Sequence, residues 1–255
     1  MNRNIVFSLC YNTTDAVREA IKNLYGRNNK KDFQHFIVDL EFPLLKGNEI
    51  PKNIDLAKRI NTVTLQDIAS DYGSVYVKFP NVGVQQNHSQ FYNYIKPDDS
   101  DVLIALDVDE DVITNGWVKA MADCLRSGKI GLVSLLQTDI EQYIDKNFYT
   151  IKEHHSYRMW VMKAMTNMAL IGMSGEFLNK INLTLPFPES AKIYGYIESL
   201  VHLLAEHGYD WAILPDYQVF HLVQDGQLYR EWKSWLIHQN ISPQIPFEEW
   251  LKSKA

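Results

Sequence analysis

Cysteine is nearly absent: Cys10 and Cys124 are the only two in 255 residues. That is too few for a disulfide framework, so a reducing compartment is expected and both thiols are read as small buried apolar side chains. Basic residues do not dominate either. Lys and Arg number 25 against 31 Asp and Glu, a formal net charge of -6, so the overall balance does not point to a polyanionic partner such as nucleic acid. No stretch approaches the roughly 20 consecutive apolar residues of a membrane span. The run Ile5 to Tyr11 behind Met1-Asn2-Arg3-Asn4 is too short and too polar-flanked for a secretory signal. Together these absences lead to the expectation of a cytoplasmic protein. With only 12 Gly and 9 Pro against 46% hydrophobic residues, the chain is neither low-complexity nor disordered, and it can bury one sizeable core. No internal repeat is visible.

What is present is an alternation of apolar runs with amphipathic segments. Ile5 to Cys10, Phe33 to Leu40, Val75 to Phe79, Val102 to Leu106 and Ile130 to Leu136 read as buried strands. Helices are expected between them, at about Asp15 to Tyr25 with Val17, Ile21 and Leu24 on one face, near Ile54 to Ile60, Thr64 to Tyr72, Gln85 to Tyr94, and Thr114 to Arg126. Further along, Asn167 to Met173 reads as a strand and Glu198 to Glu206 as a helix ended by Gly208. Tyr209 to Pro215 and Gln218 to Leu222 read as two short strands. Such an order predicts an α/β sheet whose ligand cleft lies at the carboxyl ends of its strands, where Asn12, Asp39, Asn81 and Asp107 converge. Residues 1–225 form this domain. Residues 226–255 place Leu228, Tyr229, Trp232, Trp235 and Leu236 on one helical face, an extension suited to packing on the domain, homodimer formation or peripheral membrane docking.

The chemistry-bearing motif is Asp107-Val108-Asp109-Glu110-Asp111, just past the most strand-like run in the chain. Asp107 and Asp109, two apart, share a face of an extended segment. Their hard oxygens suit Mg²⁺ or Mn²⁺, ions that keep positions open for phosphate oxygens and water. Two buried carboxylates without a cation would repel and raise each other's pKa. The bland alternative is a solvated acidic loop before the next helix, with Asp111 near its positive end. An EF-hand is excluded, since the sixth and twelfth positions from Asp107 are Val112 and Val118 where Gly and Glu are needed. A haloacid-dehalogenase-like phosphotransferase with Asp107 as nucleophile is the alternative enzyme. It wants Thr or Val where Asp111 stands, and its motif belongs on a first strand.

Taken in order, these motifs resemble the GT-A-fold glycosyltransferases, in particular the inverting family 2 type, over about residues 4–221. Ser8-Leu9-Cys10-Tyr11-Asn12 is similar to the first-strand turn placed against the nucleotide base, Asp39 to the acid contacting base or ribose, and Asn81-Val82-Gly83 with Asn87 to the segment ahead of the metal motif. Leu106-Asp107-Val108-Asp109 resembles the family's Asp-x-Asp. Tyr194-Gly195-Tyr196-Ile197-Glu198 falls where the family has Gly-Tyr-Glu-Asp, and Val219-Phe220-His221 resembles its ending, in which a histidine reaches the metal.

The resemblance implies a GT-A, Rossmann-like, mixed and mainly parallel sheet flanked by helices. It further implies a nucleotide-diphosphate sugar as donor, contacted by Ser8, Tyr11, Asn12, Asp39, Asn81, Asn87 and Asp107, and Mn²⁺ or Mg²⁺ on Asp107, Asp109, Asp111 and His221. Glu198 is implied as the catalytic base of an inverting hexosyl or pentosyl transfer. The acceptor is a glycan, a lipid carrier, a protein or, disfavoured by the acidic balance, a modified nucleobase. Two departures stand out: Gln86 replaces the usual basic residue before Asn87, and Ile197-Glu198 replaces an acidic pair. The second departure also admits a catalytically inactive sugar-nucleotide-binding protein.

Overall fold

In the computed structural model, residues 2–10, 14–41, 64–80, 84–108, 110–138, 144–154, 156–163, 169–185 and 196–221 are described. Ten strands and six α-helices occur among them. The strands are β1 (Asn4–Cys10), β2 (Gln34–Glu41), β3 (Val75–Pro80), β4 (Val102–Ala105), β5 (Glu110–Val112), β6 (Ile130–Gln137), β7 (Tyr149–His154), β8 (Tyr157–Met162), β9 (Ala169–Ser174) and β10 (Asp210–His221). The helices are α1 (Thr14–Arg27), α2 (Leu65–Tyr72), α3 (Val84–Ile95), α4 (Trp117–Leu125), α5 (Gly175–Lys180) and α6 (Tyr196–Glu206).

All ten strands join one sheet in the order β3-β2-β1-β4-β9-β6-β10-β8-β7, with β5 on β10. Strands β3, β2, β1 and β4 pair in parallel. β9 is antiparallel to both β4 and β6, which restores β6, and with it β10, to the direction of β1. Seven strands therefore end at one edge: β1, β2, β3, β4, β6, β10 and, two antiparallel steps beyond β10, β7. Strand-end residues from residue 10 to residue 221 gather there, where an α/β sheet opens its ligand crevice.

Period-two alternation sorts the core into two layers. Ile5 and Phe7 of β1, with Leu103 and Ala105 of β4, pack with Phe91 and Tyr92 of α3, Phe177 of α5, and Leu200 and Leu204 of α6. Val6, Val102, Ile104 and Leu106 point the other way, onto Leu24 of α1 and onto Trp117, Met121 and Leu125 of α4. Cys10 joins Val17 and Ile21 of α1 and Ile68 of α2 in a third cluster on that face. Val17, Ile21 and Leu24 thus form the expected stripe of α1. Each fully buried side chain of this size contributes roughly 1.5–3 kcal/mol.

The element boundaries follow local chemistry. Thr64 caps α2 through a reciprocal box with Asp67, and Gly73 ends it in the left-handed conformation at φ 72°. The fourth helix starts at Trp117 rather than at Thr114, because Gly116 is left-handed at φ 73°. Its first turn is instead satisfied by Asn28, whose side chain accepts from the Val118 N–H at 3.0 Å. The two expected late strands are one strand, β10, with an irregularity between Leu214 and Gln218 where Pro215 has no N–H to give the ladder. Past that kink Val219, Phe220 and His221 pair with β5. The β7–β8 hairpin, β5 and α5 are additions that the apolar runs do not announce. The expected helix at 54–60, Leu222 and the tail 226–255 lie outside the described residues.

Candidate active site at the carboxyl edge of the sheet

The acidic run begins where β4 lets go of the sheet. The Leu106 N–H still donates to the Phe7 carbonyl at 2.9 Å, and Leu106 is buried. Asp107 is exposed, and the Glu110 N–H closes a turn on the Asp107 carbonyl at 3.3 Å. Glu110 is only 2% exposed, a burial that glutamate rarely tolerates without compensation. It opens β5, whose antiparallel register sets Glu110 opposite His221, Asp111 opposite Phe220 and Val112 opposite Val219. The last residue of β10 is therefore held directly beside the turn that carries Asp107 and Asp109, across more than a hundred residues of sequence. Asp109 itself lies outside the described residues.

Asp111, half-buried, accepts a short hydrogen bond from the Asn23 side-chain amide of α1. One of its oxygens is thereby committed to tying β5 to α1. Among the described residues no group of three or more His, Cys, Asp or Glu side chains is placed to hold a metal ion. The donor chemistry of the turn nonetheless fits a hard divalent cation: carboxylates at 107 and 109, one exposed, with an imidazole-bearing residue fixed alongside by the β5–β10 ladder.

Asp39 stands near the carboxyl end of β2, paired in register with Cys10 of β1 and Lys78 of β3. The Tyr76 hydroxyl donates to its Oδ2 at 2.5 Å. Burial first, and the carboxylate second, push the Tyr76 phenol above its ordinary pKa, so it remains a donor at neutral pH. The second Asp39 oxygen is a further acceptor, of the kind that suits a ligand hydroxyl or amide. Tyr76 is a site neighbour that the sequence does not single out, since a tyrosine in a β-strand is ordinary.

The structure does not bring every expected residue to the cleft surface. Ser8 is fully buried, its hydroxyl 3.4 Å from Nε2 of His35. His35 Nδ1 meets the Ser74 hydroxyl at 2.8 Å, and desolvation lowers its pKa to about 3. Asn87 is fully buried on α3, with its side-chain oxygen accepting from Gln90 at 3.2 Å. Glu198 is the third residue of α6, so its backbone lies in the first turn of that helix. Tyr11, Asn12 and Asn81 lie outside the described residues. Each nonetheless follows directly on a strand that ends at this edge, with β1 ending at Cys10 and β3 at Pro80.

No protein-family model matches the chain, and no curated protein sequence matches it. Solved structures do. A mannosyltransferase from Pyrobaculum calidifontis, PcManGT, solved in complex with GDP-Man and Mn²⁺, superposes with a TM-score of 0.57 at 11% identity, covering 100% of this chain and 70% of that one. TarS from S. aureus, as its 1–349 fragment, gives 0.56 at 12% identity over 86% of this chain and 60% of the fragment. A longer TarS structure gives 0.54 at 13% identity over 93% of this chain. The chain spans 60% of the TarS fragment and 39% of the longer form. At these identities the likeness is one of fold, and the fold is the GT-A-like one expected from the motif order. It does not favour the dehalogenase-like alternative, and here the Asp-x-Asp follows the fourth strand, not the first. No described helix is long and apolar enough to cross a membrane.

Proposed function

We propose that this protein is an inverting, metal-dependent glycosyltransferase that moves a hexose or pentose from a nucleotide-diphosphate sugar to an acceptor hydroxyl. The observation that carries the reading is the β5–β10 register, which fixes His221 beside the acidic turn at the carboxyl edge of a GT-A-like sheet. A turn that served only to cap α4 would not call for this pairing. A bound Mn²⁺ or Mg²⁺ would neutralise charge growing on the departing diphosphate.

The chain's own residues do the rest. Asp107 and Asp109, with His221, would hold the cation. Asp111, anchored by Asn23, keeps the turn from fraying and is the fourth candidate ligand. Asp39, oriented by Tyr76, accepts from the base or the ribose and so fixes the nucleotide end of the donor. Tyr11 and Asn12, which follow β1 in the chain, and Asn81, which follows β3, are assigned to the donor together with Ser8 and Asn87. Glu198 takes the proton from the acceptor hydroxyl as that oxygen attacks the anomeric carbon on the face opposite the diphosphate, so one displacement inverts the centre.

The acceptor classes are a glycan, a lipid carrier, a protein or a modified nucleobase, with contact to a membrane or a second copy assigned to residues 226–255. Glu198→Gln tests the base. It keeps size and hydrogen bonding but cannot accept the proton, so donor affinity should persist while transfer falls about 10²-fold or more. A plain helix-start role predicts a stability loss of roughly 0.3–1 kcal/mol with turnover unchanged.

A further inference from the structure

Glu110 is the one carboxylate of the run 107–111 to which the proposed reaction gives no task. Among the described acidic residues of that run it alone is buried. Two residues on, the same strand carries Val112, 1% exposed, the kind of side chain that a half-buried strand prefers. A carboxylate shut away from water is costly unless a positive group or a hydrogen-bond donor faces it.

The β5–β10 ladder fixes what stands opposite. The Ile113 N–H donates to the Gln218 carbonyl at 3.1 Å, one step before Val112 meets Val219 in the register. Hydrogen-bonded and non-hydrogen-bonded pairs alternate along an antiparallel ladder, so Val112 with Val219 and Glu110 with His221 are both non-hydrogen-bonded pairs. The other side of β10 agrees: the Val219 carbonyl accepts from the Thr138 N–H, just past β6, at 3.2 Å and so faces away from β5. In pairs of this kind the Cα atoms lie about 4.5 Å apart, closer than in hydrogen-bonded pairs, and the two residues share a face.

Alternation then sorts the ribbon. Glu110, Val112, Val219 and His221 occupy one face, where Val112 and Val219 belong to the same core cluster as Leu106 and Trp117. Asp111, Ile113 and Phe220 occupy the other, where Ile113 is 37% and Phe220 41% exposed and Asp111 is tied to Asn23. The carboxylate-bearing residue of β5 on the face of His221 is therefore Glu110. Its backbone adds a second link, since its N–H closes the turn that carries Asp107 and Asp109.

A histidine that ligates a metal through one ring nitrogen commonly donates its other ring N–H to a carboxylate. That bond fixes the tautomer, holds the ring in orientation and makes the ligating nitrogen more basic. A buried carboxylate does this better than a solvated one, because the low local dielectric strengthens the bond. We propose that Glu110 is a positioning residue that accepts a hydrogen bond from the ring N–H of His221 and so holds that histidine to a divalent cation on Asp107 and Asp109. The inference rests on the metal-dependent reading and deepens it, with Glu110 touching neither the metal nor the donor.

The test is a double-mutant cycle on the full chain, read as Mn²⁺ affinity, with Glu110→Gln, His221→Ala and the two combined. Electron paramagnetic resonance of the free hydrated ion follows Mn²⁺ binding, first alone and then with GDP-mannose or UDP-glucose present. Glu110→Gln keeps the size of the side chain and removes its charge. Loss of the carboxylate behind a metal-bound histidine weakens the metal by roughly 10- to 100-fold, so we expect Glu110→Gln to lose about tenfold and His221→Ala at least as much. In the His221→Ala background Glu110→Gln should change nothing further, because its effect passes through that histidine. Undiminished Mn²⁺ affinity in Glu110→Gln overturns the proposal. So does an equal loss in both backgrounds, which would make Glu110 a ligand itself or a prop of the whole turn. If Glu110→Gln does not fold, judged by circular dichroism, Glu110→Asp takes its place, with the carboxylate withdrawn by one methylene and the same pattern expected. A wild type that binds no Mn²⁺, with or without either nucleotide sugar, sinks the metal-dependent reading and the proposal together, whereas binding that the Glu110 variant leaves intact sinks the proposal alone.

Discussion

The two sides of the sheet are built by different rules. From β3 to β4 every strand is parallel, and α1, α2 and α3 follow β1, β2 and β3 in the chain. From β9 to β7 the ladder mixes directions, and its contacts join segments far apart, such as β6 with β10 and β5 with β10. The parallel side is made of local units and supplies a fixed edge. The mixed side reaches back over that edge, bringing His221 to Glu110 and delivering α6 with Glu198. In the proposed function, donor binding and catalysis fall to regions of different construction, and the joint between them becomes a point of vulnerability.

That joint runs through Gly175, where β9 passes into α5 against the turn ahead of β4. Its N–H donates to the Asp101 carbonyl at 2.8 Å, and a Cβ there would stand 2.1 Å from the Asp98 carbonyl oxygen. Backbone cannot step aside as a side chain can, so Gly175→Ala should cost about 3 kcal/mol. Chemical denaturation of the variant checks this, and a loss below 1 kcal/mol would mean that the two sides are not locked together there.

The next effect belongs to the parallel side, which holds two buried imidazoles. His35 sits among Ser8, Ser74 and Tyr25, and His88 among Phe7 and Tyr92. Desolvation lowers their pKa values from 6.5 to about 3 and about 4. Below pH 6.5 the unfolded chain binds protons that the folded chain refuses. Their contribution is therefore complete above that pH and drains away as pH falls toward the folded values, by about 1.4 kcal/mol per pH unit for each histidine. Hydrogen exchange at pH 5 should show β1, β2 and α3 loosening relative to pH 7. Equal protection at both pH values would contradict the assignment.

The smallest effect probes the tie between the sides. Asn23→Ala removes the hydrogen bond that holds Asp111 on α1, and it should lower stability by about 1 kcal/mol with nucleotide-sugar affinity unchanged. Weaker Mn²⁺ binding without a stability loss would give Asp111 to the cation instead.

The same contrast explains what could be read from the sequence. On the parallel side Ile5 to Cys10 and Val102 to Leu106 are apolar runs buried on both faces, and the 17, 21, 24 spacing of α1 is a helical stripe, so strands and helices appear where expected. Tyr149 to His154 on the mixed side is largely exposed, with Ile151 62% accessible, and carries no hydrophobic signature of a strand. Pro215 splits β10 on paper because the sequence does not show that the segments before and after it pair with the same strand, β6. At the site, the acidic run and Asp39 are legible from position alone. The pairing of His221 with Glu110 and the hold of Tyr76 on Asp39 are not, because both depend on register between distant strands.

The most direct test of the central claim is calorimetric titration of the intact chain with UDP-glucose, UDP-N-acetylglucosamine and GDP-mannose, in Mn²⁺ and again in EDTA, for the wild type and Asp109→Ala. The account predicts that at least one donor binds the wild type in Mn²⁺. That affinity should drop at least tenfold in EDTA, and equally in Asp109→Ala, without a change in melting temperature in the absence of ligand. Equal affinity with and without the metal, or in the variant, would contradict it and leave the acidic turn as the cap of a helix.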